Sequence, residues 1–246
     1  MNNTKDIEPI LRIKDLKKSF GDNHVLNGFS LELLEGENLV LMGKSGSGKS
    51  VMIKCLVGLV QPDKGSIEIK GKDITKLTQK EFNELRTELG FLFQGSALYD
   101  SMTVRENLEF PMRRQNKTDK ESLKLVLEAL ESVGLTEAID LMPEELSGGM
   151  KRRIALARAI ILRPKIIIYD EPTTGLDPIT AKEIIQLMRN IQKNYKTSSL
   201  IITHDVDCAR VISNRMILLI DGINYAEGTF EALSSSKDEK IQAFFK

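Results

Sequence analysis

The stretch GKSGSGKS, Gly43 to Ser50, has the residue types and spacing of a loop that binds phosphate. Glycines let backbone N–H groups face phosphate oxygens, and a helix starting at the end of the loop adds the positive end of its dipole. Lys49 can reach the β- and γ-phosphates of a nucleotide, and Ser50 can ligate Mg²⁺. The loop follows the apolar run ENLVLMG and precedes a helix predicted from about Lys49 to Gly58. The candidate phosphate-binding residues are Gly43, Lys44, Ser45, Gly46, Ser47, Gly48, Lys49, Ser50 and Val51.

Polar side chains that end three other apolar runs could complete such a site. In KIIIYDEP, Asp170 would stand at the carboxyl edge of a parallel sheet, where Mg²⁺ held by Ser50 would be. Glu171 follows and can accept a proton from attacking water, which makes it a candidate general base. His204, in IITHD, could hydrogen-bond a γ-phosphate, and Gln94, after LGFLF, could orient water or touch Mg²⁺. Taken singly, the two acids could be turn residues, a histidine after a strand is more often structural, and an isolated glutamine carries no functional inference.

The run ELSGGMKRRIALARAI begins a predicted helix in an unfavourable way. Gly148 and Gly149 each cost about 1 kcal/mol relative to alanine, and the cations of 151–153 lie near the positive end of the helix dipole. With Ser147 as N-cap, the exposed N–H groups and these cations would form a second anion site. Because one helix already serves the phosphate loop, this second site would face nucleotide held by another molecule. A bare N-cap with incidental charges is the alternative.

The elements that must position these residues follow an α/β pattern. Residues 11–42 alternate short β-like runs with turns, and further helices are predicted around Gln79 to Thr87 and from about Ile179 to Asn194. Uninterrupted apolar strands between helices imply a sheet covered on both faces. From about 98 to 162 the pattern is helical, which predicts a helical subdomain inserted in a single domain of 246 residues. Residues 235–246 are predicted to form a polar link and a C-terminal helical tail.

Composition narrows the classes of partner. Hydrophobic residues make up 41%, and 35 Lys plus Arg balance 35 Asp plus Glu, so we expect no nucleic-acid partner held by net charge. Cys55 and Cys208 lie far apart in apolar stretches and are predicted to be buried thiols. The start, MNNTKDIEPI, lacks a signal-peptide core, and no run approaches the ~18 apolar residues of a membrane span. We therefore expect a cytosolic chain that acts at membranes only through partners.

Six motifs in this order resemble the nucleotide-binding subunit of an ABC transporter over nearly the whole chain. GKSGSGKS resembles the Walker A loop, LFQ the Q-loop, LSGGM the signature, IIIYDEP the Walker B strand, GLDP the D-loop and IITHD the switch histidine. The resemblance implies a P-loop NTPase of the ABC ATPase type, with a RecA-like core sheet, an N-terminal antiparallel β subdomain and an inserted α-helical subdomain. Met150 stands where glutamine is commoner in the signature.

The same resemblance implies a head-to-tail homodimer that hydrolyses ATP with Mg²⁺. The signature of one chain would close over ATP held by the Walker A loop of the other, through Ser147, Gly148 and Gly149. Phe20, in KKSFG, would stack on adenine, and Asp177 would couple the two sites across the dimer. Mg²⁺ would be bound by Ser50, Gln94 and Asp170, and the groups acting in hydrolysis would be Lys49, Gln94, Glu171 and His204.

Four segments are similar to the ATPase subunits of Mce-type and Mla-type lipid transporters: SGGMKRRIALARAI, DEPTTGLDPITA, FQGSALYDSMTVRENLEFPM and IQAFF. This likeness implies an integral membrane permease that contacts Ala97 to Met102, a periplasmic MCE lipid-binding protein and a STAS-domain protein on the helical subdomain. The C-terminal helix would then reach over the sister subunit. The chain would lie at the cytoplasmic face of the inner membrane, without a transmembrane segment of its own.

Three rival functions stay open on the sequence. The same motor could serve an amino-acid or other small-solute importer, or a cell-division complex that signals without transport. A soluble ABC ATPase acting on ribosomes or DNA is a second alternative, although this chain has one cassette and no coiled-coil insertion. A pure binding module that uses nucleotide as a structural clip is the third, and Glu171 argues against it.

Overall fold

A computed structural model describes residues 8–113, 115 and 117–245. They fall into two compact units, one comprising the described residues up to Arg86 together with those from Ser198 onward, the other running from Thr87 to Thr197. The strands are β1 (Leu11–Phe20), β2 (Asn23–Leu33), β3 (Asn38–Gly43), β4 (Lys64–Ile69), β5 (Lys72–Asp73), β6 (Leu89–Leu92), β7 (Ile166–Asp170), β8 (Ser198–Ile202), β9 (Arg215–Ile220) and β10 (Ile223–Gly228). The helices are α1 (Lys49–Leu56), α2 (Gln79–Leu85), α3 (Val104–Glu109), α4 (Asp119–Val133), α5 (Gly148–Ile160), α6 (Pro178–Tyr195), α7 (Val206–Ile212), α8 (Phe230–Ser234) and α9 (Glu239–Gln242).

An antiparallel sheet with the order β2-β1-β4-β5 forms one part of the first unit. Its register places Leu11 opposite Leu33 on one side and opposite Ile69 on the other. All three leucine and isoleucine side chains are fully buried, because alternate residues of a strand share one face of the sheet. The predicted N-terminal antiparallel β subdomain is therefore present.

A second set of strands in the first unit carries the phosphate loop. β3 pairs in parallel with β8 and β9, and β10 adds antiparallel to β9. Every residue of β3 is buried, as expected of a parallel strand covered on both faces, and this explains the apolar run from Leu39 to Met42. The strand ends at Gly43, so the loop begins at the carboxyl edge of this set of strands.

In the second unit, β6 and β7 pair in parallel, with Leu92 opposite Tyr169. The residues after these two strands, Phe93 and Gln94 on one and Glu171 on the other, therefore emerge at one edge. Between the strands lie α3, α4 and α5, inside the segment predicted as a helical subdomain at about 98–162. Helix α4 starts with a capping box between Thr118 and Glu121 and ends at Gly134 in the left-handed region.

The C-terminal tail folds onto β10 and α8. The predicted helix is short, spanning Glu239–Gln242, and Asp238 caps it while accepting a hydrogen bond from the Tyr225 hydroxyl at 2.8 Å. Phe230 and Phe245 pack edge to face with ring centroids 5.4 Å apart. The last tail residue, 246, lies outside the described residues. Within the described ranges, no helix is long and apolar enough to cross a bilayer, and both cysteines are buried as predicted.

Candidate nucleotide-binding site

The phosphate loop joins β3 to α1 through backbone conformations that require glycine. A Cβ on Gly43 would lie 2.4 Å from the Ser47 Oγ and 3.0 Å from a backbone carbonyl oxygen of β9, so a larger residue would displace the Ser47 side chain and crowd β9. Gly46 and Gly48 have φ of 79° and 106°, a region that side-chain-bearing residues rarely adopt. The loop can therefore turn its backbone N–H groups inward without obstruction.

Two polar groups of this loop are arranged for an anionic ligand. The Lys49 ammonium donates to the carbonyl oxygen of Lys44 at 3.0 Å and to that of Gly43, which curls the loop around its own lysine. The Ser47 hydroxyl is buried without a hydrogen-bond partner among the described residues. Such a group costs about 1–3 kcal/mol when unsatisfied, so a phosphate oxygen would relieve a real penalty. The positions of the Lys49 ammonium and the Ser47 hydroxyl therefore suit a nucleotide phosphate.

A cavity of about 650 Å³ adjoins the loop. This volume suits a ligand of nucleotide size. Its walls come from the phosphate loop at Lys44 and Ser47, from the start of β2 at His24, and from the tail at Lys240 and Phe244. The contribution of the tail was not anticipated, since nothing in its sequence marks it as part of a ligand pocket.

Phe20, the predicted adenine-stacking residue, ends β1 with 52% of its surface exposed. The Lys18 ammonium lies 5.4 Å from the ring centroid. Asp63 fixes this corner by accepting from the Lys18 ammonium and from the Ser19 N–H, both at 2.7 Å. The Lys18 hydrogen bond is the main cause of the lowered pKa of the Asp63 carboxyl. The hairpin therefore holds a half-exposed aromatic ring on a braced backbone.

His204 follows β8 and is exposed. The residue before it, Thr203, donates its N–H to the carbonyl oxygen of Leu41 at 3.2 Å, which extends the β3–β8 pairing to the strand end. The histidine therefore emerges at the carboxyl edge from which the phosphate loop also leaves, as its sequence context predicts.

In the second unit, the strand-end acids are held differently from one another. Asp170 is half-buried at the end of β7, whereas Glu171 is 7% exposed and has φ of 51°. The Thr174 hydroxyl donates to the Glu171 Oε2 at 3.0 Å. A left-handed backbone at a non-glycine residue costs on the order of 1–3 kcal/mol, and such strain is concentrated at functional turns. Gln94, in the turn after β6, is exposed.

The glycine-rich start of α5 has the predicted N-cap. The Ser147 Oγ accepts from the Met150 N–H at 3.2 Å. Within the described residues, a Cβ on Gly148 would meet no heavy atom within 4 Å, so the helix end is open to a ligand. A Cβ on Gly149 would lie 2.9 Å from the Thr180 Cγ2, so this glycine permits a close approach of α5 and α6.

The interpretation that 151–153 supply cations to this anion site is wrong for Arg152. Arg152 is 4% exposed and turns inward, donating to the carbonyl oxygens of Phe93 at 2.9 Å and Thr174 at 3.2 Å. Arg153 pairs with Glu183 of α6 at 2.6 Å. Helical geometry points successive side chains in different directions, and the neighbours packed against α5 decide which direction is inward.

Asp177 is the N-cap of α6. Its carboxylate accepts from the Ile179 and Thr180 N–H groups, each at 3.0 Å, and from the Thr180 hydroxyl at 2.6 Å. The hydroxyl hydrogen bond is the first cause of the lowered pKa of Asp177. This gives Asp177 a structural task within its own chain that the sequence interpretation did not include.

A glycine-rich phosphate loop between strand and helix, together with a strand-end Asp-Glu pair, defines a phosphate-loop nucleotide-binding protein. A family model described as ABC transporter matches residues 26–174. The chain belongs to the ABC transporter family. A solved dimer of the ATP-binding cassette MJ0796 in a post-hydrolysis state, bound to ADP and Pi, is 33% identical with a TM-score of 0.80, covering 89% of this chain and 98% of that one. These findings confirm the predicted fold class and the prediction that the chain is an ATPase.

Relatives with different cargoes have similar identities. The chain is 37% identical to the intermembrane phospholipid transport system ATP-binding protein MlaF of Haemophilus influenzae, over 96% of this chain and 90% of that protein. It is 40% identical to the probable ribonucleotide transport ATP-binding protein mkl of Mycobacterium leprae, over 95% of this chain but 68% of that protein. It is 38% identical to the methionine import ATP-binding protein MetN of Brucella abortus, over 89% of this chain and 60% of that protein. Identity alone therefore does not choose the cargo.

Proposed function

We propose that this chain is the ATP-hydrolysing subunit of a membrane complex that transports phospholipid. The observation that carries the choice of cargo is the match to MlaF, which is 37% identical over 96% of this chain and 90% of that protein. The finer sequence resemblance to Mce-type and Mla-type ATPases supports the same choice.

The residues of the phosphate loop would bind ATP. Lys49 would exchange its carbonyl partners for phosphate oxygens, and the buried Ser47 hydroxyl would gain the partner that it lacks within the described chain. Mg²⁺, with Ser50, Gln94 and Asp170 as its proposed ligands, would neutralise charge on the phosphates.

Glu171 would accept the proton of the attacking water. Its burial and its bond from the Thr174 hydroxyl support this role, because a general base must be held in one orientation to act. His204 would hydrogen-bond the γ-phosphate. This assignment gives the two strand-end residues distinct tasks, one on the water and one on the phosphate.

Two copies would work head to tail. The N-terminus of α5 is open at Gly148 and would close over ATP held by the phosphate loop of the partner. Phe20 would stack on adenine, and Asp177 would couple the two sites. The dimeric state of the MJ0796 neighbour supports this arrangement.

An integral membrane permease would dock at Ala97 to Met102. The exposed Tyr99 ring lies 4.6 Å from the Phe110 ring, and buried Asn107 braces the segment by accepting from the Tyr99 N–H at 2.8 Å. A rigid surface with exposed aromatic rings suits a protein interface. A periplasmic MCE protein and a STAS-domain protein would complete the complex, at the cytoplasmic face of the inner membrane.

An importer of amino acids is the second candidate, favoured by the 38% identity to MetN. A tagged chain purified from native membranes, followed by mass spectrometry of proteins and lipids, separates the two. Phospholipid with an MCE protein supports the proposal, and a solute-binding protein without either one overturns it. Tyr99→Asp should lose the permease, whereas Leu59→Asp, at another exposed apolar residue, should retain it.

A further inference from the structure

One guanidinium group connects three motifs of the second unit. Arg152 lies on α5 about one turn, or ~6 Å, behind Gly148. Its two terminal nitrogens donate to the carbonyl oxygens of Phe93, the residue before Gln94, and of Thr174. Thr174 in turn contacts Glu171 twice, through its hydroxyl to Oε2 at 3.0 Å and through its N–H to the carbonyl oxygen at 3.3 Å.

We propose that Arg152 is a positioning residue that ties the glycine-rich end of α5 to Gln94 and Glu171. Closure of that helix end on a partner's nucleotide would thereby fix the water-activating carboxylate of the same chain. The inference rests on the proposed function, since it assigns no task to Arg152 unless Glu171 is the general base.

The surroundings of Arg152 favour positioning over stabilisation. Burial lowers the pKa of its guanidinium, and among the described residues no carboxylate contributes to that shift. Its Nε is buried without a partner in the same set of residues. A buried ion carries a large desolvation penalty. A fold that required only packing at this position would be served as well by methionine.

The same helix grips the segment after β6 at a second point. Arg158 donates to the carbonyl oxygens of Ser96 and Ala97 at 2.9 Å and 2.8 Å, and both of those residues have positive φ. Movement of α5 is therefore transmitted to 93–97 at both ends of the segment. Arg152 differs from Arg158 because it alone of the two also reaches the turn that holds Glu171.

The test compares Arg152→Met and Arg152→Lys with Arg105→Met, which removes a half-exposed arginine paired with Glu109 in the same unit. Steady-state ATP hydrolysis by the full complex should show a kcat about 10–100-fold lower in Arg152→Met, with KM changed less than about twofold. A displacement near 1 Å in a catalytic group is sufficient for a loss of this size. Arg105→Met should keep the kcat of the unaltered protein.

A double variant distinguishes positioning from a general structural defect. If Arg152 acts through Glu171, adding Arg152→Met to Glu171→Gln should lower kcat by less than about threefold further, because the general base is already lost. The proposal would be overturned if the double variant lost kcat by the product of the two single-variant losses. It would also be overturned if Arg152→Met folded and kept full kcat. If Arg152→Met does not fold, Arg152→Lys decides in the same way, and an unchanged kcat there counts against the proposal. Failure of the proposed function itself is distinguishable, since Glu171→Gln would then keep its turnover.

Discussion

Gly90→Ala measures how closely α5 lies on β6. A Cβ at Gly90 would stand 2.4 Å from the backbone carbonyl oxygen of Ala159, although ordinary contacts begin near 3.4 Å. Backbone atoms cannot rotate away, so α5 must retreat from the strand by about 1 Å. Overpacking of this kind destabilises by about 1–3 kcal/mol, which for a chain of this size lowers the unfolding midpoint by roughly 2–12 °C.

Gly95→Ala is the matched control. The same substitution, five residues along, meets no heavy atom within 4 Å among the described residues, and φ there is not in the left-handed region. We expect Gly95→Ala to be neutral or slightly stabilising, because alanine restricts the unfolded chain. Urea unfolding of both variants, followed by circular dichroism, provides the comparison. Equal stability of the two variants would refute the close approach of α5 to β6.

Three further predictions concern the site and its surroundings. Glu171→Gln should retain ATP binding and lose turnover by ~10² or more, as expected for a general base, and undiminished phosphate release would reject that role. Cysteines placed at Ser147 and Ser45 should crosslink between chains in nucleotide-trapped protein, against a low background because the natural cysteines are buried, whereas a fully active monomer would contradict the dimer. Lys18 lowers the pKa of Asp63 below the ordinary value of 3.8. The stability that Asp63 contributes should therefore be fully present above pH 3.8, and it should be lost as the pH falls through the lower pKa of the folded state. The difference in unfolding free energy from Asp63→Asn should therefore shrink below that pH, and a constant difference down to pH 2 would be inconsistent with this pKa shift.

Elements specified by local rules were predictable. The start of α1 at Lys49 and the N-cap at Ser147 agree with the structure because a strained loop needs glycine and a helix end needs a short polar side chain. Helix α1 ends at Leu56, and Gly58, the predicted end, follows in the left-handed conformation with its N–H donating to the Cys55 carbonyl oxygen at 3.0 Å. These features depend on neighbours within about one turn of helix.

Directions of long side chains were not predictable. The sequence shows Arg152 and Arg153 as adjacent cations, yet one is buried against carbonyl oxygens and the other forms a surface ion pair. A guanidinium on a flexible stem can reach many partners, and the packed surroundings select among them. For the same reason the tail residues Lys240 and Phe244 were not recognised as walls of the cavity.

The sequence by itself determined the phosphate loop, the strand-end acids and the family, because each depends on residue spacing that survives in an extended chain. Only the tertiary structure decided that the Thr174 hydroxyl holds Glu171 and that Arg152 links both to the turn after β6. The Arg152 contacts join residues far apart along the chain. They form only after α5 has packed on β6, and the position of that packing to within about 1 Å decides which donors and acceptors meet.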